Sequence, residues 1–255
     1  HFAQGDPTSD MWLSGLDGVD FTHGRIGASR WGTHAEFCVV EETSLITIPT
    51  NISYEKAAAS IIGLGTAWHM TVNLGQIQAG QKILINAAGS VVGSSAIQVA
   101  KLHGAHIIAT VGSEQKMSKA KDIGADVVLN YSSDNIFESI QDITNGKGVD
   151  LVIESVGGDI FAQSVKSVCL NGRLVTCGAH AGETVPINII ELFRKHMMIH
   201  GSHLAGRKEI RHILGLIADD QLTPVIDSTF PLSKIVEAAK KTANRDVFGK
   251  MLLLP

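Results

Sequence analysis

The sequence predicts an α/β fold: a doubly wound, six-stranded parallel sheet, with a second, β-rich layer formed by the two ends of the chain. Two observations carry that reading. From Lys82 onward, short apolar runs rich in branched residues alternate with Gly-containing turns and segments of helical spacing, the pattern of repeated βαβ units. Both flanks lack this alternation, and 255 residues at 44% hydrophobic and 18% charged leave room for two unequal domains.

The strands read near Lys82 to Asn86, His106 to Val111, Val127 to Asn130, Val149 to Glu154, Gly172 to Cys177 and Met198 to Gly201. Helices fall between them near Val92 to His103, Glu114 to Ile123, Asn135 to Thr144, Phe161 to Val168 and Ile189 to Lys195. Parallel neighbours of this kind need right-handed crossovers, and two βαβαβ halves open a ligand crevice at the carboxyl ends of the strands, where the strand order reverses. Upstream, Thr33 to Pro49 alternates and ends in Pro, as a half-exposed antiparallel strand pair would. Downstream come an amphipathic helix near Lys208 to Ala218, a strand at Pro224 to Ser228, a helix near Leu232 to Thr242 and a strand at Lys250 to Leu254. Residues 1–62 and 203–255 are accordingly expected to form one discontinuous domain around a parallel-sheet domain of residues 63–202.

Composition excludes several classes. With 21 basic and 25 acidic residues the chain lacks the cationic surplus that drives binding to nucleic acid or anionic lipid. Cys38, Cys169 and Cys177 stand alone with no CxxC spacing, against a disulfide framework or a thiolate zinc cage, so a reducing cytoplasm is expected. The uncharged stretches Ala57 to Gln81 and Ile83 to Ala100 are broken by glycines and polar residues and read as interior elements rather than membrane spans. No secretory leader is recognisable, and the start at His1 reads as a processed, tagged or truncated end.

The first strand runs into Ala87-Ala88-Gly89-Ser90-Val91-Val92-Gly93. Such a small-residue turn lets backbone N–H groups approach a diphosphate, the following helix N-terminus adds partial positive charge, and a glycine in the last position allows close helix-to-strand packing. Gly89 and Gly93 meet those needs, although Ala88 and Ser90 occupy the first two glycine positions of G-x-G-x-x-G. The end of the second strand discriminates between dinucleotides, because an acid there bonds the ribose 2′-hydroxyl and repels a 2′-phosphate. Here Val111-Gly112-Ser113-Glu114-Gln115-Lys116 has no acid at the strand end, while Ser113 can donate and Lys116 can supply charge, which favours NADP(H) over NAD(H). The competing reading makes Ser113 a helix cap and Lys116 a solvated charge.

These residues, with GTHAEFCVV from Gly32, GTAWHM from Gly65, IGADVVLNY from Ile123, GVDLVIESVGG from Gly148, NGRLVTCG from Asn171 and the final FGKMLLLP, resemble the medium-chain dehydrogenase/reductase superfamily, in its zinc-type alcohol dehydrogenase and quinone oxidoreductase branches. The resemblance implies a Rossmann domain within a GroES-like catalytic domain that lacks its amino-terminal part, with hydride transfer at a nicotinamide between them. It places Thr66 beside the nicotinamide, Ser90, Val91 and Val92 at the pyrophosphate, Ser113, Lys116 and Tyr131 around the adenosine 2′-phosphate, and Val156, Gly178 and Ser202 along the nicotinamide half. Val91 departs from the family's usual glycine. It also implies that the places of the structural-zinc cysteines are Asp6, Ser9, Trp12 and Asp20, which cannot form a thiolate cage, and that a catalytic-zinc cysteine is replaced by Ile62. His200 and His203 lack a third ligand nearby, and His69 reads as a packed residue, so no metal is expected.

The expected function is zinc-independent, NADP(H)-dependent hydride transfer with a quinone, enone or other carbonyl or alcohol substrate, by a homodimer or higher homo-oligomer. No residue is assigned as acid or base. Two rivals are a zinc-dependent alcohol dehydrogenase whose ligands lie in a missing segment, and a dinucleotide-binding fragment without turnover.

Overall fold

The computed structural model describes residues 2–3, 32–40 and 42–255. These divide into two compact units, His1–Thr66 with His203–Pro255, and Ala67–Ser202.

In the second unit, β3 (Lys82–Ile85), β4 (His106–Val111), β5 (Val127–Asn130), β6 (Val149–Glu154), β7 (Val168–Thr176) and β8 (Met198–Gly201) form one six-stranded sheet in the order β5-β4-β3-β6-β7-β8. Every pairing is parallel. The chain builds outward from β3 in one direction and then, from β6, in the other, so the order reverses between these two strands. Its crossover helices are α2 (Val91–Leu102), α3 (Gln115–Asp122), α4 (Ile136–Thr144), α5 (Gly158–Ser167) and α6 (Ile189–Arg194). The central strands are apolar because both faces are covered: Leu84, Ile108, Val152 and Leu174 are fully buried and pack in one cluster with Ile136, Ile140, Val165 and Val168.

Local chemistry sets the helix ends. Ser90 and Asn135 cap α2 and α4, their side-chain oxygens accepting from Gly93 N (2.9 Å) and Glu138 N (3.3 Å). The α4 C-terminus closes on Asn145 in the left-handed conformation (φ 50°).

In the first unit, β2 (Leu45–Ile46) pairs antiparallel with β1 (Phe2–Ala3). Helix α1 (Tyr54–Trp68) continues into a π-helical turn at His69–Leu74. Helix α7 (Arg207–Ala218) buries Ile210, Ile213, Leu214 and Ile217, the one-face spacing of an amphipathic helix. A Cβ at Gly65 of α1 would approach Ile210 Cδ1 to 2.8 Å, so the glycine lets the two helices touch. Strands β9 (Ile226–Pro231) and β10 (Lys250–Leu254) pair in parallel around α8 (Ile235–Ala243), and the Asp227 carboxylate joins this unit by accepting from Lys241 Nζ (2.6 Å) and Phe248 N (3.0 Å).

The expected strand pair over Thr33 to Pro49 is not formed. Residues 32–40 adopt no strand and Phe37 and Val39 are exposed; the segment folds into a 3-10 turn at Glu42–Ser44 and the two-residue β2. Alternation stabilises a strand only where one face is packed and the edge is paired. Among the described residues no helix is long and apolar enough to cross a membrane.

Candidate functional site

The carboxyl end of β3 is where the most local constraints converge. Ala87 turns the chain with φ 52°, Ala88 N donates to Thr110 O (2.8 Å), and Ser90 N donates to Ala87 O (2.8 Å). Ser90 Oγ then takes the Gly93 amide, and Ser94 N donates to Ser90 O (3.0 Å) to begin the helical ladder. The amides of Val91 and Val92 precede that ladder and project from the helix N-terminus, where the macrodipole favours an anion. Gly93 admits no side chain: a Cβ would overlap the Ala87 carbonyl and lie 2.9 Å from Ala88 Cα. Ser94 and Ser95 donate back to Val91 O and do not face a ligand.

At the end of β4, Gly112 supports the ring of Tyr131; a Cβ there would come within 2.7 Å of Tyr131 Cζ. Tyr131 N donates to Val111 O (3.0 Å), which seats the tyrosine at the end of β5 alongside this strand end. Ser113 O accepts from Lys116 N (3.1 Å) in the turn that leads into α3.

Val156, Gly178 and Ser202 follow the ends of β6, β7 and β8. Val156 O accepts from Ala181 N (2.7 Å), Ser202 N donates to Thr176 O (2.8 Å), and a Cβ at Gly178 would stand 2.7 Å from Ser155 O. Ser202 Oγ is buried and makes no hydrogen bond among the described residues. Such an atom calls for an outside partner. Gly89, Ser90, Val91, Val92, Ser113, Lys116, Tyr131, Val156, Gly178 and Ser202 thus share the carboxyl edge of one sheet, whereas Thr66 lies buried on α1 in the other unit.

Glu154, missed by the sequence reading, closes β6. It is fully buried and accepts from Val156 N (2.8 Å) and, through both oxygens, from Gly157 N (3.1 and 3.3 Å). Burial raises its pKa above the usual carboxylate value, against the lowering effect of these amides. Burial, with the Glu154 charge nearby, also pushes the Cys177 thiol up to about 11, so it stays protonated and is not a nucleophile.

The places of Asp6, Ser9, Trp12 and Asp20 lie outside the described residues. Among the described residues no three His, Cys, Asp or Glu side chains converge as metal ligands, and Ile62 is half-exposed on α1 with no donor atom to offer. His69 is buried in the π-helical turn, and His200 Nε2 is buried in β8.

Residues 91–219 match the family model of zinc-binding dehydrogenases, which is about half of the chain. The chain belongs to this family. The zinc-binding dehydrogenases fall in the medium-chain dehydrogenase/reductase superfamily, so the resemblance in the sequence holds, as does the parallel α/β sheet. A curated relative, the quinone oxidoreductase-like protein 2 homolog of Nematostella vectensis, is 30% identical over 233 residues, covering 87% of this chain. The chain spans 64% of that relative's length. The crystal structure of an NAD-dependent alcohol dehydrogenase superposes with TM-score 0.90 at 34% identity, over 98% of this chain and 74% of its own. The 2-octenoyl-CoA carboxylase reductase CinF, solved with NADP and 2-octenoyl-CoA, superposes with TM-score 0.89 at 28% identity, over all of this chain and 61% of its own.

Proposed function

We propose that this dehydrogenase chain binds NADP(H) along the carboxyl edge of its parallel sheet and transfers hydride to or from a quinone, enone or other carbonyl or alcohol, without zinc. The observation that carries this reading is the capped α2 N-terminus at the point of strand-order reversal. There the Val91 and Val92 amides are left for an anion, and Gly93 lets the start of α2 pack closely on the end of β3. The groups present fit a dinucleotide on their own chemistry: an anion cradle at the turn, a tyrosine seated beside the β4 end, and the orphaned Ser202 hydroxyl at the far side of the same edge.

When bound, the nicotinamide supplies the hydride chemistry; the protein's residues hold and orient it. Val91 and Val92 N–H groups would bond the diphosphate, with Gly89 and Ser90 shaping the turn. Ser113 and Tyr131 would bond the adenosine 2′-phosphate, with the Lys116 ammonium adding charge, and no carboxylate at the end of β4 opposes it. Val156 and Gly178 would border the nicotinamide half, and Ser202 would bond it. The preference for NADP(H) rests on these residues, since the related structures include one enzyme named NAD-dependent and one holding NADP. Zinc independence rests on Ile62, whose side chain cannot ligate a metal.

Oligomerisation is proposed at the β8 edge, where Phe193 is 62% exposed and Ile189, Ile190 and Met198 are also exposed. The discontinuous catalytic domain of residues 1–62 and 203–255 around 63–202 is part of the same proposal. The test is NADPH oxidation followed at 340 nm with a quinone acceptor, with and without a zinc chelator. Quinone-dependent oxidation that survives chelation is expected. Tight NADPH binding without turnover would instead support a dinucleotide-binding fragment, and loss of activity on chelation a zinc enzyme.

A further inference from the structure

Beneath the turn lies a polar chain of contacts that neither the apolar pattern of the sheet nor the proposed ligand set uses. Asn86, Thr110 and Ser164 are 1%, 0% and 0% exposed, among isoleucines, leucines and valines. Polar side chains this deep are costly unless their hydrogen bonds are made, and here they are. Thr110 Oγ1 donates to Asn86 Oδ1 (3.1 Å), Asn86 Nδ2 donates to Ser164 Oγ (2.7 Å), and Ala87 N donates to Thr110 Oγ1 (3.2 Å). Asn86 N also donates to Ile153 O (3.0 Å) of β6.

The end of β3 is therefore fixed from both sides of the strand-order reversal, to β4 through Thr110 and to β6 and α5 through Ile153 and Ser164. The residue that follows, Ala87, is left-handed, a conformation that costs a side-chain-bearing residue roughly 1–2 kcal/mol and persists only where its surroundings hold it. Its own amide is held by Thr110 Oγ1, which Asn86 orients.

We propose that Asn86 is a positioning residue: through Thr110 it holds Ala87 left-handed and so aims the Val91 and Val92 amides at the diphosphate. This rests on the dinucleotide reading above. Asn86 touches no ligand; it acts through the backbone of the turn.

The test titrates wild type, Asn86→Ala and Thr110→Val with two probes, NADPH and adenosine 2′-monophosphate, which carries the 2′-phosphate but no diphosphate. Both variants should weaken NADPH by about tenfold or more, as expected for a lost buried hydrogen bond that leaves its partner unmade. Adenosine 2′-monophosphate should change less than about twofold, because the Ser113, Lys116 and Tyr131 region is untouched. General damage to the fold would weaken both probes equally, and that result overturns the assignment. So does unchanged NADPH affinity in Thr110→Val, which nearly preserves the shape of the side chain should Asn86→Ala fail to fold. A wild type that binds neither probe refutes the dinucleotide reading itself, and the role of Asn86 with it.

Discussion

One methyl group added at Gly93 sets β3 against α2. The alanine Cβ would overlap the Ala87 carbonyl and stand 2.8 Å from its carbon, where nonbonded carbons settle near 3.5–4.0 Å. Relief requires the start of the helix to withdraw by about 1 Å. Such overpacking costs about 1–3 kcal/mol, and the withdrawal also stretches the Ser90 cap on Gly93 N, worth about 1 kcal/mol. Gly93→Ala should therefore lower the unfolding free energy by about 2–4 kcal/mol in a urea titration. The same shift carries the Val91 and Val92 amides away from a diphosphate, so NADPH should bind at least about tenfold more weakly by fluorescence titration. A variant with wild-type stability would contradict the packing argument. A destabilised variant with unchanged NADPH affinity would show that the diphosphate does not lie at this turn.

Lys116→Ala should weaken NADPH by about tenfold to a hundredfold, the worth of a charge-assisted bond, while leaving NADH unchanged; equal losses for both dinucleotides would refute the account of 2′-phosphate recognition. Glu154→Gln tests the buried carboxyl. Because its folded pKa is raised, its contribution to stability is greatest below the usual carboxylate range and is lost as pH rises through the folded value. The stability of Glu154→Gln relative to wild type should accordingly grow from pH 4.5 toward neutrality, and a pH-independent difference would contradict it. Phe193→Asp should shift sedimentation toward monomer with little effect on stability, since this exposed side chain lies at the proposed subunit edge. An unchanged sedimentation profile places any subunit contact elsewhere.

The parallel sheet was legible because fully covered strands are apolar throughout, and β4, β5, β6 and β8 carry the boundaries that their branched runs predict. β7 begins at Val168 rather than Gly172, because Val168 still pairs with Val149 before an irregularity that passes through left-handed Asn171; Asn-Gly there reads as a turn. Helix α5 starts at Gly158, three residues before the expected Phe161, because Gly157 and Gly158 take positive φ and let the chain turn directly from the end of β6. Ser113 and Lys116 were legible as the residues that follow the second strand, and Tyr131 only through the family resemblance; the pairing of β4 with β5 sets the three at adjacent strand ends. Asn86, Thr110, Ser164 and Glu154 did not. A polar residue at a strand end reads as the start of a turn, and only the third dimension shows whether its partners are solvent, backbone amides or side chains far along the chain.

A crystal structure with NADPH tests the central claim most directly. The account predicts the diphosphate within hydrogen-bonding distance of Val91 N and Val92 N, with the 2′-phosphate against Ser113, Lys116 and Tyr131. A dinucleotide lying away from the β3–α2 turn, or ordered NADPH whose diphosphate meets no amide of α2, would contradict it.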